Sequence, residues 1–305
     1  PDLPAYKMLT SAHGASGQPI ANLDKGSSAF ANGMHQVEEG ARLADAASLI
    51  HQVQALMWVQ GHADAATALA TYKADLRQML VDYHADIEAI TGQSWQFPLV
   101  AYQGSNEQTN VGGSSEYEPV VARAFYEMSA DHDDIIAAVP SYHVTYSDGT
   151  HMVGDSYQKI GQHIGRVLYA VLIRGEEWTG LRPREVRAYR SDEVLVRFHV
   201  PVAPIVFDTD AVDDPGDYGF EVRDDDGTPA ISSVSIVGDD TVRIKLDRDL
   251  GDNPTLAYAW YTTAGTDAGP STGPRGCLFD SDTTEAYQRG NSLANPCLRF
   301  KENII

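Results

Sequence analysis

The sequence is poor in cysteine and lysine and has no long apolar run, and each shortage excludes a class of protein. It has two cysteines, Cys277 and Cys297, in 305 residues, without Cys or His partners at ligand spacing, so we expect no metal site. Only six residues are lysine, and 43 acidic against 22 basic residues give a net charge of −21. Because phosphate binding needs a basic surface, nucleic acid is not an expected partner. A membrane span needs about 18 consecutive apolar residues, and none is found.

What the sequence does contain is typical of a globular protein. Apolar residues make up 43% of the chain, which is enough for real cores, and the length allows two domains. The acidic excess is typical of a soluble protein or one adapted to salt. The two cysteines leave two alternatives open: a disulfide across a loop, which is worth about 2–4 kcal/mol and suits an extracellular protein, or two thiols.

The first part of the chain alternates predicted strands with predicted helices. Apolar residues recur at threes and fours in the longest of these helices, and Gly92 is placed to end it. Such alternation predicts an α/β fold with a parallel sheet flanked by helices, in which ligand groups gather at the carboxyl ends of the strands. The predicted strands are 55–59, 97–102 and 137–146, and the predicted helices are 64–92, 118–130 and 155–173.

After about residue 180 the pattern changes to short strands separated by Asp, Gly and Pro turns, which predicts a small all-β sandwich domain. The expected domains are therefore an α/β domain over 1–180 and a β domain over 181–305. The predicted strands of the second domain are 193–202, 218–224, 232–238, 240–247 and 255–261.

Asp148 and His151 form the most suggestive pair of residues. They lie on one loop between an extended segment and a helix. Three residues apart, a carboxylate can orient one imidazole nitrogen while the other nitrogen faces a substrate. This is the base-and-orienter half of a serine-hydrolase triad.

Three blocks in order give the chain a resemblance to a known superfamily. "DGTHMVGDSYQKIGQHIGRV" starts at Asp148, "WVQGHADA" starts at Trp58, and "AHGASGQPIANLDKGSSAF" starts at Ala12. Together they resemble the SGNH/GDSL hydrolases, and within them the branch of sialate O-acetylesterase-like and carbohydrate acetylesterases. The resemblance implies a flavodoxin-like, three-layer fold over roughly residues 10–185. The clearest departure is His62, which stands where the family pattern has Glu.

The resemblance also implies roles for individual residues. His151 would be the base and Asp148 its orienter. The oxyanion hole would be formed by Gly14 or Gly17 in the glycine-rich turn, with Gln60 and Gly61 from the middle block. We expect His62 and His13 to border the substrate pocket. The resemblance implies neither a metal nor an organic cofactor.

The nucleophilic serine is the part of the triad that the blocks do not supply. Gly154-Asp155-Ser156 spells the start of an esterase signature, but it follows the Asp–His block instead of preceding it. We therefore interpret Asp155 or Ser156 as a helix N-cap. Gly14 to Gly17 do not form the Gly-x-Ser-x-Gly turn of a nucleophile elbow. We expect the serine to lie upstream of Pro1, on a segment removed by proteolysis, supplied as a separate chain or absent from this sequence.

Two functions remain open at this point. The first is a serine esterase that removes acetyl groups from a glycan or cleaves another ester. The alternative is a glycan-binding or structural protein of a virion, such as a phage tail, or of a cell surface, retaining an inactive scaffold. Either would be extracellular or virion-associated, and a homo-oligomer is compatible with both.

Overall fold

The computed structural model describes residues 7–105, 107, 117–261, 268–287 and 292–305. Its first part is built on a parallel sheet in the order β1-β2-β3. Trp58 of β1 pairs with Ala101 of β2, which in turn pairs with Ala137 of β3. The three strands are β1 (Leu56–Trp58), β2 (Leu99–Gln103) and β3 (Ile135–Pro140).

Helices cover both faces of this sheet. Side chains alternate along β2, so that Leu99 and Ala101 belong to the apolar cluster that contains α2 and α3, whereas Val100 and Tyr102 pack with α4. This two-sided burial is the expected environment of parallel strands and confirms the predicted α/β class. The helices are α1 (Ser28–Ala46), α2 (Leu69–Thr91), α3 (Val120–Asp131) and α4 (Gly154–Leu168), the last continued by a π-helical segment over Tyr169–Arg174.

Three details of the helix ends bear on the sequence predictions. Gly92 ends α2 in the left-handed conformation, with a φ of 72°, as predicted. The N-cap prediction for Asp155 or Ser156 is wrong, because α4 begins at Gly154 with Val153 as its N-cap residue and Ser156 is buried in the first turn. No helix in the described part of the chain is long and apolar enough to cross a membrane.

Antiparallel sheets make up the second part of the structure, in the orders β4-β5-β9-β8, β12-β10-β7 and β11-β6. A single apolar cluster extends from α1 and α2 through Leu298 and Phe300 to Ile304, so the two parts share buried surface. The sandwich arrangement and the boundary at residue 180 stay predictions. The strands are β4 (Arg182–Arg190), β5 (Glu193–His199), β6 (Val206–Phe207), β7 (Phe220–Arg223), β8 (Ile231–Val237), β9 (Thr241–Leu246), β10 (Thr255–Tyr258), β11 (Leu278–Phe279) and β12 (Phe300–Asn303).

Both cysteines are buried free thiols. The Cys277 thiol lies 3.2 Å from the carbonyl oxygen of Val212, to which it can donate a hydrogen bond. Of the two alternatives that the sequence left open, the structure therefore contains the pair of thiols.

Candidate active site

The loop that follows β3 holds Asp148 and His151 in a well-defined geometry. Asp148 Oδ1 accepts the backbone N–H groups of Thr150 and His151, at 2.7 and 2.6 Å. Asp148 Oδ2 lies 3.0 Å from His151 Nδ1. An antiparallel bridge between Tyr146 and Met152 closes the base of the loop. All three contacts of Asp148 are made within residues 148–151, so the loop by itself brings Asp148 and His151 together.

These contacts determine which nitrogen of His151 can act as a base. The backbone N–H of His151, its side chain and the N–H of Thr150 together lower the pKa of Asp148 to about 2, so near neutral pH the carboxylate can only accept hydrogen bonds. Nδ1 must therefore carry the proton in neutral His151, and the lone pair lies on Nε2. The imidazole is 62% exposed, which leaves room for a reacting group beside it.

The middle block follows β1, at the same edge of the sheet. A Cβ atom added to Gly61 would lie 2.9 Å from Val121 Cγ1, so this position requires glycine for the close approach of α3. A Cβ atom added to Gly104, just after β2, would lie 3.7 Å from His62 Nε2. Because the strands are parallel, the segments that follow β1 and β3 leave the sheet at the same edge. They are separated there by two strand spacings, roughly 10 Å.

The side chain of Gln60 is already engaged. Its amide nitrogen donates to the carbonyl oxygen of Gln18, at 3.2 Å, and to the carboxylate of Asp64. Its amide oxygen accepts from the hydroxyl of Tyr72, at 2.9 Å. Gln60 would therefore donate to an oxyanion only by giving up one of these two acceptors.

Asp64 connects the middle block to the glycine-rich turn. Its buried carboxylate accepts the backbone N–H of Ile20, at 2.8 Å, and the hydroxyl of Thr67, at 3.0 Å, besides the amide of Gln60. Asp64 does not cap the helix that follows, since α2 begins at Leu69 with Ala68 as its N-cap residue.

The residues of the glycine-rich turn separate into two groups. Gly14 and Gly17 are exposed, and Gly17 has a φ of 70°, which favours glycine. His13 instead packs between helices: its Nε2 lies 2.9 Å from the hydroxyl of Tyr83, and its ring lies over Gly33. Burial lowers the pKa of His13. This packing favours a structural role for His13 over one in the pocket.

An open groove of about 440 Å³ runs along residues 15–29, next to Gly17. Amide, carboxylate and hydroxyl side chains line it, among them Gln18, Asn22, Asp24 and Ser27. Such groups can donate to and accept from the hydroxyl groups of a sugar.

A buried polar cluster at the end of β2 is the part of the site that the sequence patterns missed. The Glu107 carboxylate accepts the backbone N–H groups of Val121 and Ala122, at 3.1 and 3.0 Å, at the start of α3. Burial raises the pKa of Glu107 to about 7, although the nearby Arg299 guanidinium opposes this. The sequence signal for this cluster was a run of polar residues directly after a predicted strand. Arg299 lies too far along the chain for any local pattern to connect it with Glu107.

His143, a neighbour of the Asp148–His151 loop in sequence, faces a second buried cluster. Its Nδ1 lies 2.9 Å from the carbonyl oxygen of Pro140, and its ring meets that of His163 at a centroid distance of 5.3 Å. Burial lowers the pKa of His143 to about 3 and that of His163 well below its usual value, and the charges of Lys159 and Arg166 act in the same direction.

We expect this histidine pair to make the protein sensitive to acid. Both rings have a lower pKa in the folded than in the unfolded state, so the unfolded chain binds more protons below about pH 6.5. The free energy of unfolding should therefore fall as the pH drops from 6.5 towards 4, by up to about 1.4 kcal/mol per pH unit for each ring. Urea denaturation of His143→Asn, in which the amide can still donate to Pro140, should show a smaller slope with pH. His35→Asn, at an exposed position, is the control. An equal dependence of the unfolding free energy on pH in both variants would contradict the assignment of acid sensitivity to the His143–His163 pair.

Comparison with known proteins places the chain in a family. A family model described as carbohydrate esterase, sialic acid-specific acetylesterase, matches residues 8–170, just over half of the chain. No curated protein matches the chain. The fold is similar to that of a carbohydrate acetylesterase from Xanthomonas citri, with a TM-score of 0.55 and 15% sequence identity, over 82% of this chain and 50% of that chain.

A weaker similarity is to domains 1–6 of the surface layer protein SbsC, with a TM-score of 0.28 and 11% identity over 93% of this chain and 32% of that chain. The chain spans about half the length of the Xanthomonas acetylesterase, and that likeness bears on the fold alone. The family match rests on sequence, and its range contains all three of the blocks singled out above. The chain therefore belongs to the family of sialic acid-specific acetylesterases, which are carbohydrate esterases.

Proposed function

We propose that this chain forms the acid–base part of a serine esterase that removes O-acetyl groups from a carbohydrate. The serine oxygen attacks the acetyl carbonyl carbon while His151 Nε2 takes the serine proton. The tetrahedral intermediate collapses, the sugar alkoxide leaves with that proton, and the acetyl group stays on the serine. Water then attacks this ester while His151 Nε2 takes a water proton, the bond between the acyl carbon and the serine oxygen breaks, the serine regains that proton, and acetate is released.

The observation that carries this proposal is the contact between Asp148 Oδ2 and His151 Nδ1 on an exposed loop at the carboxyl edge of the sheet. It supports Asp148 as the group that holds the imidazole and stabilises the imidazolium formed during the reaction. Membership in a family of carbohydrate esterases supports the substrate class. The polar groove beside Gly17 is suited to the sugar.

The oxyanion hole is proposed at the ends of β1 and the glycine-rich turn. Gly14, Gly17 and Gly61 would donate their backbone N–H groups. The Gln60 side-chain amide would donate after giving up one of its two present acceptors, the Gln18 carbonyl oxygen or the Asp64 carboxylate. The hydrogen bond from Gln60 to the carbonyl oxygen of Gln18 supports this grouping, because it ties the middle block to the turn. His62 is proposed to line the acyl side of the pocket, near Gly104.

The nucleophile is proposed to lie upstream of Pro1, on a strand that pairs with the open edge of β1. Among the described residues, no strand pairs with that edge, and an unpaired edge presents N–H and C=O groups to which a further strand can bond. Met57 and Val59 are about half exposed there. A strand docked at this edge would end beside Gln60, within reach of the same pocket.

Covalent labelling tests this proposal directly. A fluorophosphonate probe reacts with a serine that an adjacent base activates, so the protein that carries this chain with its natural preceding sequence should be labelled once, at a serine before Pro1. Peptide mass spectrometry locates the label, and His151→Ala should abolish it. A label on Ser156 or on any other serine within the chain would contradict the placement of the nucleophile.

The same experiment separates the catalytic from the binding alternative. If no serine is labelled and no acetate is released from an acetylated glycan, while the glycan still binds, the chain is an inactive scaffold used for recognition. Acetate release measured together with labelling supports the esterase.

A further inference from the structure

The second part of the structure enters the candidate site through one fully buried side chain, Arg299, which directly precedes β12. Its Nε donates to the carbonyl oxygen of Ala259, at 2.8 Å, and its Nη1 donates to that of Gly104, the residue after β2. Its Nη2 lies 3.4 Å from the carbonyl oxygen of Trp260. One guanidinium thus joins the end of β2 to the segment that follows β10.

Gln103, the last residue of β2, holds the backbone of the same residue. Its amide oxygen accepts the backbone N–H of Arg299, at 2.9 Å, and its amide nitrogen donates to the Arg299 carbonyl oxygen, at 3.1 Å. The amide nitrogen also donates to the carbonyl oxygen of Ala122 in α3, at 2.8 Å. Because Gln103 is completely buried, these bonds fix the position of the β2 end without competition from water.

Three hydroxyl groups continue this connection to the Asp148–His151 loop. Ser141 donates to the carbonyl oxygen of Gln103, at 3.0 Å. With its one proton used, Ser141 Oγ can accept from both Ser105, at 3.0 Å, and Tyr146, at 2.7 Å. Burial raises the pKa of Tyr146 to about 12, so its hydroxyl keeps the proton that it donates. Tyr146 is also one of the two residues whose bridge closes the loop.

We infer that Arg299 is a positioning residue for the Asp148–His151 pair, acting through the end of β2 and the Ser105–Ser141–Tyr146 hydroxyl chain. The catalytic meaning of this inference rests on the proposed function; the positioning itself does not. The β part of the protein is, on this inference, a component of the active site and not an independent appendage.

The chemistry of the guanidinium explains why arginine stands at this position. Arg299 serves three carbonyl oxygens that lie on two different segments, which a single ammonium group on a flexible stem cannot match with the same geometry. The Glu107 carboxylate stabilises the positive charge of Arg299, and it also accepts a backbone N–H at the start of α3. Arg299 and Glu107 therefore hold the end of β2 and the start of α3, respectively.

Hydrogen exchange of the free protein, without substrate, tests the inference. In Tyr146→Phe, which removes only the last hydroxyl of the chain, we expect the amides of Thr150 and His151 to exchange at least tenfold faster than in the parent. The amides of Val100 and Ile136 in the central strands should be unchanged. Arg299→Lys should show the same local pattern at the loop.

Tyr126→Phe is the matched control. The Tyr126 hydroxyl donates to Glu302 Oε1, at 2.6 Å, and so also joins the α/β part to β12, but it is not connected to the loop. It should leave Thr150 and His151 unaffected. The inference is overturned if the two amides exchange no faster in Tyr146→Phe than in Tyr126→Phe. Should Arg299→Lys fail to fold, Tyr146→Phe still tests the last link of the connection, and its failure overturns the inference.

Kinetics add a readout that a purely structural role would not change. With an acetylated substrate, Tyr146→Phe should lower kcat about tenfold and leave KM within twofold, because the groove beside Gly17 is untouched. An equal change in both constants would count against positioning. If no form of the protein releases acetate, the proposed function fails, whereas the exchange experiment still decides the positioning.

Discussion

Replacing His151 with alanine should lower kcat/KM for acetate release by at least about a thousandfold, because the serine loses the base that takes its proton. We expect this in the protein that carries the chain together with its nucleophile. The folded structure should be preserved, since the imidazole is 62% exposed and its partner Asp148 remains solvated. The measurement is the initial rate of acetate release from an acetylated sugar.

The chain offers a close control for this substitution. His35 Nδ1 lies 3.7 Å from Glu38 Oε2, and this exposed pair has the same three-residue spacing as His151 and Asp148. His35 lies on α1, outside the Asp148–His151 loop. His35→Ala should therefore retain full activity. If both variants kept full activity, the assignment of His151 as the base would be wrong.

Asp148→Asn should separate orientation from proton transfer. The amide can still accept a backbone N–H, but it neither stabilises an imidazolium nor fixes the Nδ1 tautomer as the carboxylate does. A similar substitution in serine proteases lowers kcat by about 10⁴. We expect a loss of the same order for Asp148→Asn, with a preserved fold.

Removing the carboxylate of Asp64 should have the largest effect on stability. Asp64→Ala leaves three donors without their acceptor: the backbone N–H of Ile20, the amide of Gln60 and the hydroxyl of Thr67. Each donor left unsatisfied in a buried place costs about 1–3 kcal/mol. With partial hydration, we expect the free energy of unfolding to fall by about 3 kcal/mol, measured by urea denaturation.

Asp86→Ala is the comparison for Asp64→Ala. Asp86 pairs with Lys25 at 2.6 Å on the surface, with side chains 29% and 49% exposed, and such pairs contribute about 1 kcal/mol or less. Asp64→Ala should also lower the rate of acetate release, since Ile20, which follows the glycine-rich turn, loses its bond to the middle block. The interpretation of Asp64 fails if the two aspartate variants are equally stable.

Secondary structure could be predicted where the pattern is strong. The second and third helices, the stop at Gly92 and the three parallel strands follow from periodicity and composition. Helix α1 was missed because its buried face is made of small residues, Ala29, Gly33 and Gly40, besides Phe30. Gly33 and Gly40 are needed there because the rings of His13 and His51 pack directly on them, a reason that only the folded chain reveals.

The sequence by itself determined the α/β class, the three parallel strands, the helices that follow them and the Asp148–His151 pair, because periodicity, turn residues and a short loop are local properties of the chain. Only the tertiary structure decided that Gln60 is held by Gln18 and Asp64, that His13 packs between helices, and that Arg299 reaches the end of β2. Those contacts join residues up to 196 positions apart. The partners of a buried polar group depend on which segments meet in the folded core, and no local pattern encodes that meeting.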